Sequence, residues 1–199
     1  ACFHMAIPHL MPELRKPLGT ARPAFASPIA NRMAAACRPH RAVFITPMAA
    51  VAGSVADEIA AVMLAAAPGL RTFYVNNGGD IAVHAADGET LRIGVVPDLA
   101  RAAPEGVITV TAQSGIKGIA TSGWRGRSFS LGVADAVTVL AGSAAGADAA
   151  ATMIANAADI TSPAVRRAPA RSLDPDSDLG DLPVTTDVGS LAEADIAAA

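Results

Sequence analysis

The sequence predicts an α+β fold, and three observations carry the prediction. Helical and strand-like segments do not alternate in the regular βαβ units of a doubly wound sheet. The centre of the chain, from residue 72 to 111, is a run of short apolar segments with turn signals between them. The strongest helix signals lie on either side of that centre.

Taken in order, the first 26 residues are proline-rich (Pro8, Pro12, Pro17, Pro23) and read as an irregular, surface-hugging segment. Ser27-Pro28 pairs a hydroxyl N-cap with proline at the first helical position, so a helix runs from there to about Cys37. Ala42-Val43-Phe44-Ile45 reads as a short buried strand, and Thr46-Pro47 opens a helix of roughly 49–66, closed by Pro68-Gly69. Strands follow at 72–75 and 80–84 around the turn Asn76-Asn77-Gly78-Gly79. Asp87-Gly88 is a hairpin signal before the strand 90–95. Residues 107–111 and 136–140 alternate with period two, separated by a Gly/Ser-rich stretch at 114–132. A helix of about 144–158 comes next. Residues 163–187 are rich in Pro and Asp and read as an extended arm, and Ser190-Leu191-Ala192-Glu193 is a capping-box pattern opening a terminal helix. The predicted organisation is one α+β domain at 1–162 and an acidic C-terminal arm at 163–199.

Composition narrows the function classes. Of 199 residues, 52% are hydrophobic, but 47 are alanine, so the larger apolar side chains must supply most of the burial energy of roughly 25 cal/mol per Å². Disorder along the whole chain is excluded. The net charge of −3 divides into +4 for residues 1–171 and −7 for 172–199, a balance that argues against generic nucleic-acid binding. Cys2 and Cys37 cannot form a disulfide framework, and no Cys/His cluster has zinc spacing; a reducing, cytoplasmic setting is expected. Asp57, Glu58 and Asp148 interrupt the Ala-rich runs, so no membrane association is expected.

Three polar segments sit at strand ends or helix starts, where ligand sites are usually built. Asn76-Asn77-Gly78-Gly79-Asp80 is either a tight turn or a loop whose glycines bring backbone N–H groups to a ligand, with Asn77 or Asp80 as polar handle. Gly118-Ile119-Ala120-Thr121-Ser122-Gly123 is either an ordinary loop or a cradle offering two hydroxyls to a phosphate or carbonyl. On the 144–158 helix, Asp148 and Thr152 are four residues apart and point the same way, a hard-oxygen pair suited to Mg²⁺; the alternative is that Asp148 caps the helix start. The histidines at 4, 9, 40 and 84 share no ligand spacing.

These segments in series, from Thr46-Pro47-Met48-Ala49-Ala50-Val51-Ala52-Gly53 through Asn77-Gly78-Gly79-Asp80-Ile81, Ala120-Thr121-Ser122-Gly123 and Val137-Thr138-Val139 to Ala147-Asp148 with Thr152, resemble the ApbE superfamily. Its best-known members are flavin transferases, once called thiamine biosynthesis lipoproteins. The closer similarity, through Pro47–Gly53 and Ala134–Val139, is to a separate cytoplasmic branch. The resemblance spans about residues 38–158. It implies an ApbE-like, T-fold-like arrangement of mixed or antiparallel sheets with packed helices, lacking part of the N-terminal region. It further implies FAD at Asn77, Gly78, Gly79, Asp80, Ala120, Thr121, Ser122 and Gly123, with Mg²⁺ on Asp148 and Thr152. The expected ligand is thus a flavin or related phosphorylated small molecule.

The sequence also departs from the transferases. Their His-x-x-Asp-Pro-x-Thr-Gly segment is replaced by Ser128-Phe129-Ser130-Leu131-Gly132-Val133-Ala134-Asp135, and Arg127 stands where a histidine is expected in relatives of the closer branch. Flavin binding is therefore expected ahead of FMN transfer, and a non-catalytic binding or assembly module is the competing expectation. If catalysis occurs, Asp135 and Ser122 are the candidate side chains. An extended acidic arm that docks on the body, or reaches a second subunit in a homo-oligomer, completes the expectations.

Overall fold

A computed structural model describes residues 9–21, 23–95 and 106–199. Cys2, His4 and the opening eight residues lie outside the described residues. The architecture is α+β, as predicted, with antiparallel sheets and packed helices.

A four-stranded antiparallel sheet in the order β1-β2-β5-β6 forms the centre, from β1 (Thr72–Asn77), β2 (Asp80–Ala85), β5 (Gly118–Ser122) and β6 (Val137–Ala141). Period-two alternation sends its side chains to two different partners. On one face, Ala82 meets Ala56 and Ala144, and Ala120 meets Ala147 and Ala151. These alanines come from two helices, α2 (Val51–Ala66) and α3 (Ala144–Ala157). On the other face, Val83 and Ile119 pack against Val110, Leu91 and Ile93 of a separate ribbon, β3 (Thr90–Val95) with β4 (Gly106–Thr111). Alanine is what lets the helices sit close to the sheet. Where α2 crosses α3 the approach is closer still, and a Cβ at Gly53 would overlap the Ala144 carbonyl.

Helix α1 (Pro28–Cys37) starts as expected, with the Ser27 hydroxyl accepting from the Ala30 N–H at 3.4 Å. Its Ile29 and Met33 enclose Leu14, which belongs to a helical segment at 9–14 where an irregular chain was expected. Thr46 caps a 3₁₀ turn, Pro47–Ala50, that runs directly into α2. Together Pro47–Ala66 are long and apolar enough to cross a bilayer by length and composition alone, with Asp57 and Glu58 midway along them.

Other differences have local causes. Residues 42–45 form turns instead of a strand, because no neighbouring strand offers them a ladder; Val43 is 58% exposed and only Ile45 is buried. Asp87-Gly88 does turn the chain, with Gly88 at φ +80°, but β2 and β3 go to different sheets, so no hairpin forms. The Gly/Ser-rich stretch conceals the central strand β5, whose Gly118 and Ala120 are small enough to lie buried beneath α3. The arm contains β7 (Val165–Pro169) paired with β8 (Pro183–Val188), with α4 (Ala170–Leu173) between them. The terminal helix α5 (Glu193–Ala198) forms, but its N-cap is Ala192 and no capping box closes.

Candidate functional site

The two-residue turn Gly78-Gly79 joins β1 to β2, with Asn77 and Asp80 as the last pair of the ladder. Both glycines have positive φ, +72° and +114°, as such a turn demands. The Asn76 side chain steadies it, its Oδ1 accepting from the Gly79 N–H at 2.8 Å. Asp80 therefore opens β2 at the edge of the helix-covered face, the same side as Ala82. Beside it, the β5 backbone presents the Thr121 N–H to the Asp80 carboxylate.

Asp148 reaches this place from α3. It does not cap its own helix: the Ser143 hydroxyl accepts from Gly146 N–H, and the Asp57 carboxylate accepts from Ala144 N–H and Ala145 N–H at 3.0 and 2.9 Å. Asp148 instead serves the start of α2, accepting from Gly53 N–H at 3.0 Å and from Ala52 N–H. Each helix thus lends an aspartate to the N-terminus of the other, where free N–H groups and the helix dipole favour negative charge. Asn77 Nδ2 donates to the Ala52 carbonyl at 3.1 Å, tying the β1–β2 turn to the same helix start.

The two aspartates sense each other. Burial pushes the Asp148 carboxyl up to about 7, and the neighbouring Asp80 charge adds to the rise, against the opposing Gly53 and Ala52 N–H groups. Burial likewise raises Asp80 to about 6, opposed by the Thr121 N–H and the positive charge of Arg127. Two partly buried carboxylates in mutual repulsion are costly unless a proton or a cation relieves them. Cys37, buried nearby and facing the charges of Asp148 and Asp178, stays a protonated thiol for the same reasons, burial foremost.

Among the described residues no group of three or more His, Cys, Asp and Glu side chains is placed to hold a metal. A closed all-protein cage is therefore absent from this part of the chain. The donor set still fits Mg²⁺, which commonly takes one or two carboxylates and completes its shell with water and substrate phosphate. Asp80 and Asp148 would supply the charge. Thr152, half-buried one turn further along the same side of α3, offers a hydroxyl.

The two glycine-rich segments lie side by side on adjoining strands. Their residues contribute unequally. Ala120 is fully buried under α3 and Thr121 turns to the opposite face, where its hydroxyl meets Thr138 at 2.8 Å. Ser122 shares the helix-facing side with Asp80 by alternation, and Gly123 closes the strand against the Asp135 backbone. Asp135 stands apart from the carboxylate pair: its Oδ1 accepts from Trp124 Nε1 at 2.8 Å and Arg125 Nε at 2.9 Å. Arg127 was noted in the sequence only as a departure. Its place beside Asp80 could not be read from an exposed loop, nor could the crossing of Asp57 and Asp148, 91 residues apart in the chain.

Fold and site together define an α+β domain with a two-carboxylate site at the junction of a sheet and two helix starts. The chain belongs to the family described as AbpE bacteria, whose model matches residues 6–199, an ApbE-related grouping. Among curated relatives, it is 40% identical over 127 residues to the UPF0280 protein of Methanopyrus kandleri, covering 62% of this chain and 48% of the relative. The UPF0280 protein of Archaeoglobus fulgidus is 40% identical over 129 residues (64% and 49%), and that of Methanosphaerula palustris 38% over 129 (64% and 52%). The chain spans about half the length of the curated relatives it matches.

Proposed function

We propose that this protein binds a flavin, or a related ligand carrying a phosphate group, through a Mg²⁺ ion held between Asp80 and Asp148, with Thr152 beside them. The observation that carries the reading is the carboxylate pair itself. A strand end and a helix of the opposite layer bring two acids together in partial burial, which raises both, and the charge of Asp80 adds to the cost of charging Asp148. Pairs left in that state are common at functional sites and uncommon elsewhere. A divalent cation offsets both charges and leaves positive charge over for phosphate oxygens. FAD is the ligand favoured by the resemblance to the ApbE superfamily.

Binding is favoured over FMN transfer by a specific observation. Asp135, the acid of the segment that departs from the transferases, is exposed and held by Trp124 and Arg125, so it is not poised as a base. Titrating FAD with the purified protein, following its fluorescence with Mg²⁺ and then with excess EDTA, tests the reading. Saturable binding that EDTA reverses is expected; FAD fluorescence unaffected by the protein at any Mg²⁺ concentration would contradict it.

A further inference from the structure

Arg127 lies on the β1–β2 turn, next to the strand end that carries Asp80. Its Nη2 donates to the Gly78 carbonyl at 3.1 Å, across 49 residues of chain. The turn's φ of +72° requires glycine at 78, and the missing Cβ leaves open the space in which that nitrogen lies. The guanidinium stands within electrostatic reach of Asp80 but, among the described residues, forms no ion pair with it or with any other acid. Nearby arginines behave differently: Arg125 pairs with Asp135 and Arg167 with Asp159. A guanidinium has five N–H donors, and a single neutral carbonyl occupies one of them. Among the described residues no acid pairs with its charge, and the exposed side chain lies beside Asp80, one of the carboxylates that would hold a cation. Phosphate oxygens match that planar fork, which can give two parallel charge-assisted hydrogen bonds.

We infer that Arg127 is the anion-binding residue of this site, taking oxygens of a phosphate or diphosphate group whose remaining oxygens meet the cation at Asp80 and Asp148. The inference rests on the cation reading above and extends it to the ligand's chemistry. A cation on one side and a guanidinium on the other select a phosphate ester or diphosphate over its unphosphorylated counterpart. The competing role is a strut that pins the β1–β2 turn, which would leave anion affinity untouched.

Calorimetric titration of inorganic pyrophosphate at fixed Mg²⁺, into wild type, Arg127→Ala and Arg127→Lys, separates the two, with Mg²⁺ alone titrated into each. Wild type is expected to bind pyrophosphate, Arg127→Ala to bind it at least about tenfold more weakly, and Arg127→Lys to fall between. Mg²⁺ affinity without pyrophosphate is expected to be no weaker in either variant than in the wild type, since the repulsion of Arg127 on a cation at Asp80 is kept or removed. Equal pyrophosphate affinity in wild type and Arg127→Ala overturns the inference and leaves the cation reading standing, as does a wild type that binds Mg²⁺ but no pyrophosphate. Loss of pyrophosphate affinity in Arg127→Ala with no Mg²⁺ binding in wild type supports the inference and removes the cation reading. A wild type that binds neither removes both.

Discussion

At the scale of single residues, Asp148 carries two opposed duties. Its carboxylate holds the N–H groups of Ala52 and Gly53, which favours the charge, while burial and Asp80 disfavour it. The sign follows from linkage. The folded-state value is raised above the unfolded one, so the contribution to stability is largest below about pH 4 and is lost as pH rises toward 7. Asparagine keeps an acceptor for Gly53 and removes the charge. Asp148→Asn should therefore stabilise the metal-free protein at pH 8 by about 1–2 kcal/mol, with little gain at pH 4. Thermal melts in EDTA across that range check this, and an equal or lower Tm for the variant at pH 8 would count against a strained carboxylate. Much at this scale was legible beforehand. The turn Asn77–Asp80 follows from Asn-Gly-Gly chemistry, and the spacing of Asp148 and Thr152 already marked one helix face. What the sequence cannot show is a partner contributed from far away: nothing local tells Asp148 that Gly53 donates to it, or Arg127 that Gly78 accepts.

At the scale of elements, the site depends on α2 and α3 crossing without side chains between them. Gly53 is the crossing point, and both exchanged aspartates lie within a turn or so of it. Gly53→Ala gains the usual helical preference of alanine but drives a methyl into the Ala144 carbonyl. The net expectation is a loss of about 1–3 kcal/mol and a widened crossing. Urea denaturation measures it, and a variant as stable as wild type would show that the helices have room to separate. Helices α1, α2 and α3 and most strands were legible because caps, proline and hydrophobic period act locally. Strand β5 was not, since its Gly118, Ala120 and Ser122 lack the β-branched signature and are small for the sake of α3. The sheet assignment of β3 was also hidden: Asp87-Gly88 specifies a turn, while packing of Leu91 and Ile93 on Val83 and Ile119 decides which sheet receives the strand.

Across the whole molecule, the acidic arm is part of the body. Val184 is fully buried, Thr185 N–H donates to the Ser130 carbonyl and Thr185 Oγ1 to that of Gly132, each at 2.8 Å. Asp178 accepts from Thr46 Oγ1 at the entrance to α2, so the arm also braces the helix whose N–H groups hold Asp148. Removing residues 172–199 should cost more than about 3 kcal/mol, from Val184 burial, the β7–β8 ladder and the lost Thr185 bonds together. A truncated chain melting at the wild-type temperature would show the docking to be incidental. The central proposal is that Asp80 and Asp148 are brought together to hold a cation. Calorimetric titration of Mg²⁺ into wild type, Asp80→Asn and Asp148→Asn in the presence of FAD tests it most directly. One site is expected in the wild type, with affinity at least about tenfold weaker in either variant; no Mg²⁺ binding by the wild type, or equal affinity in all three proteins, would contradict it.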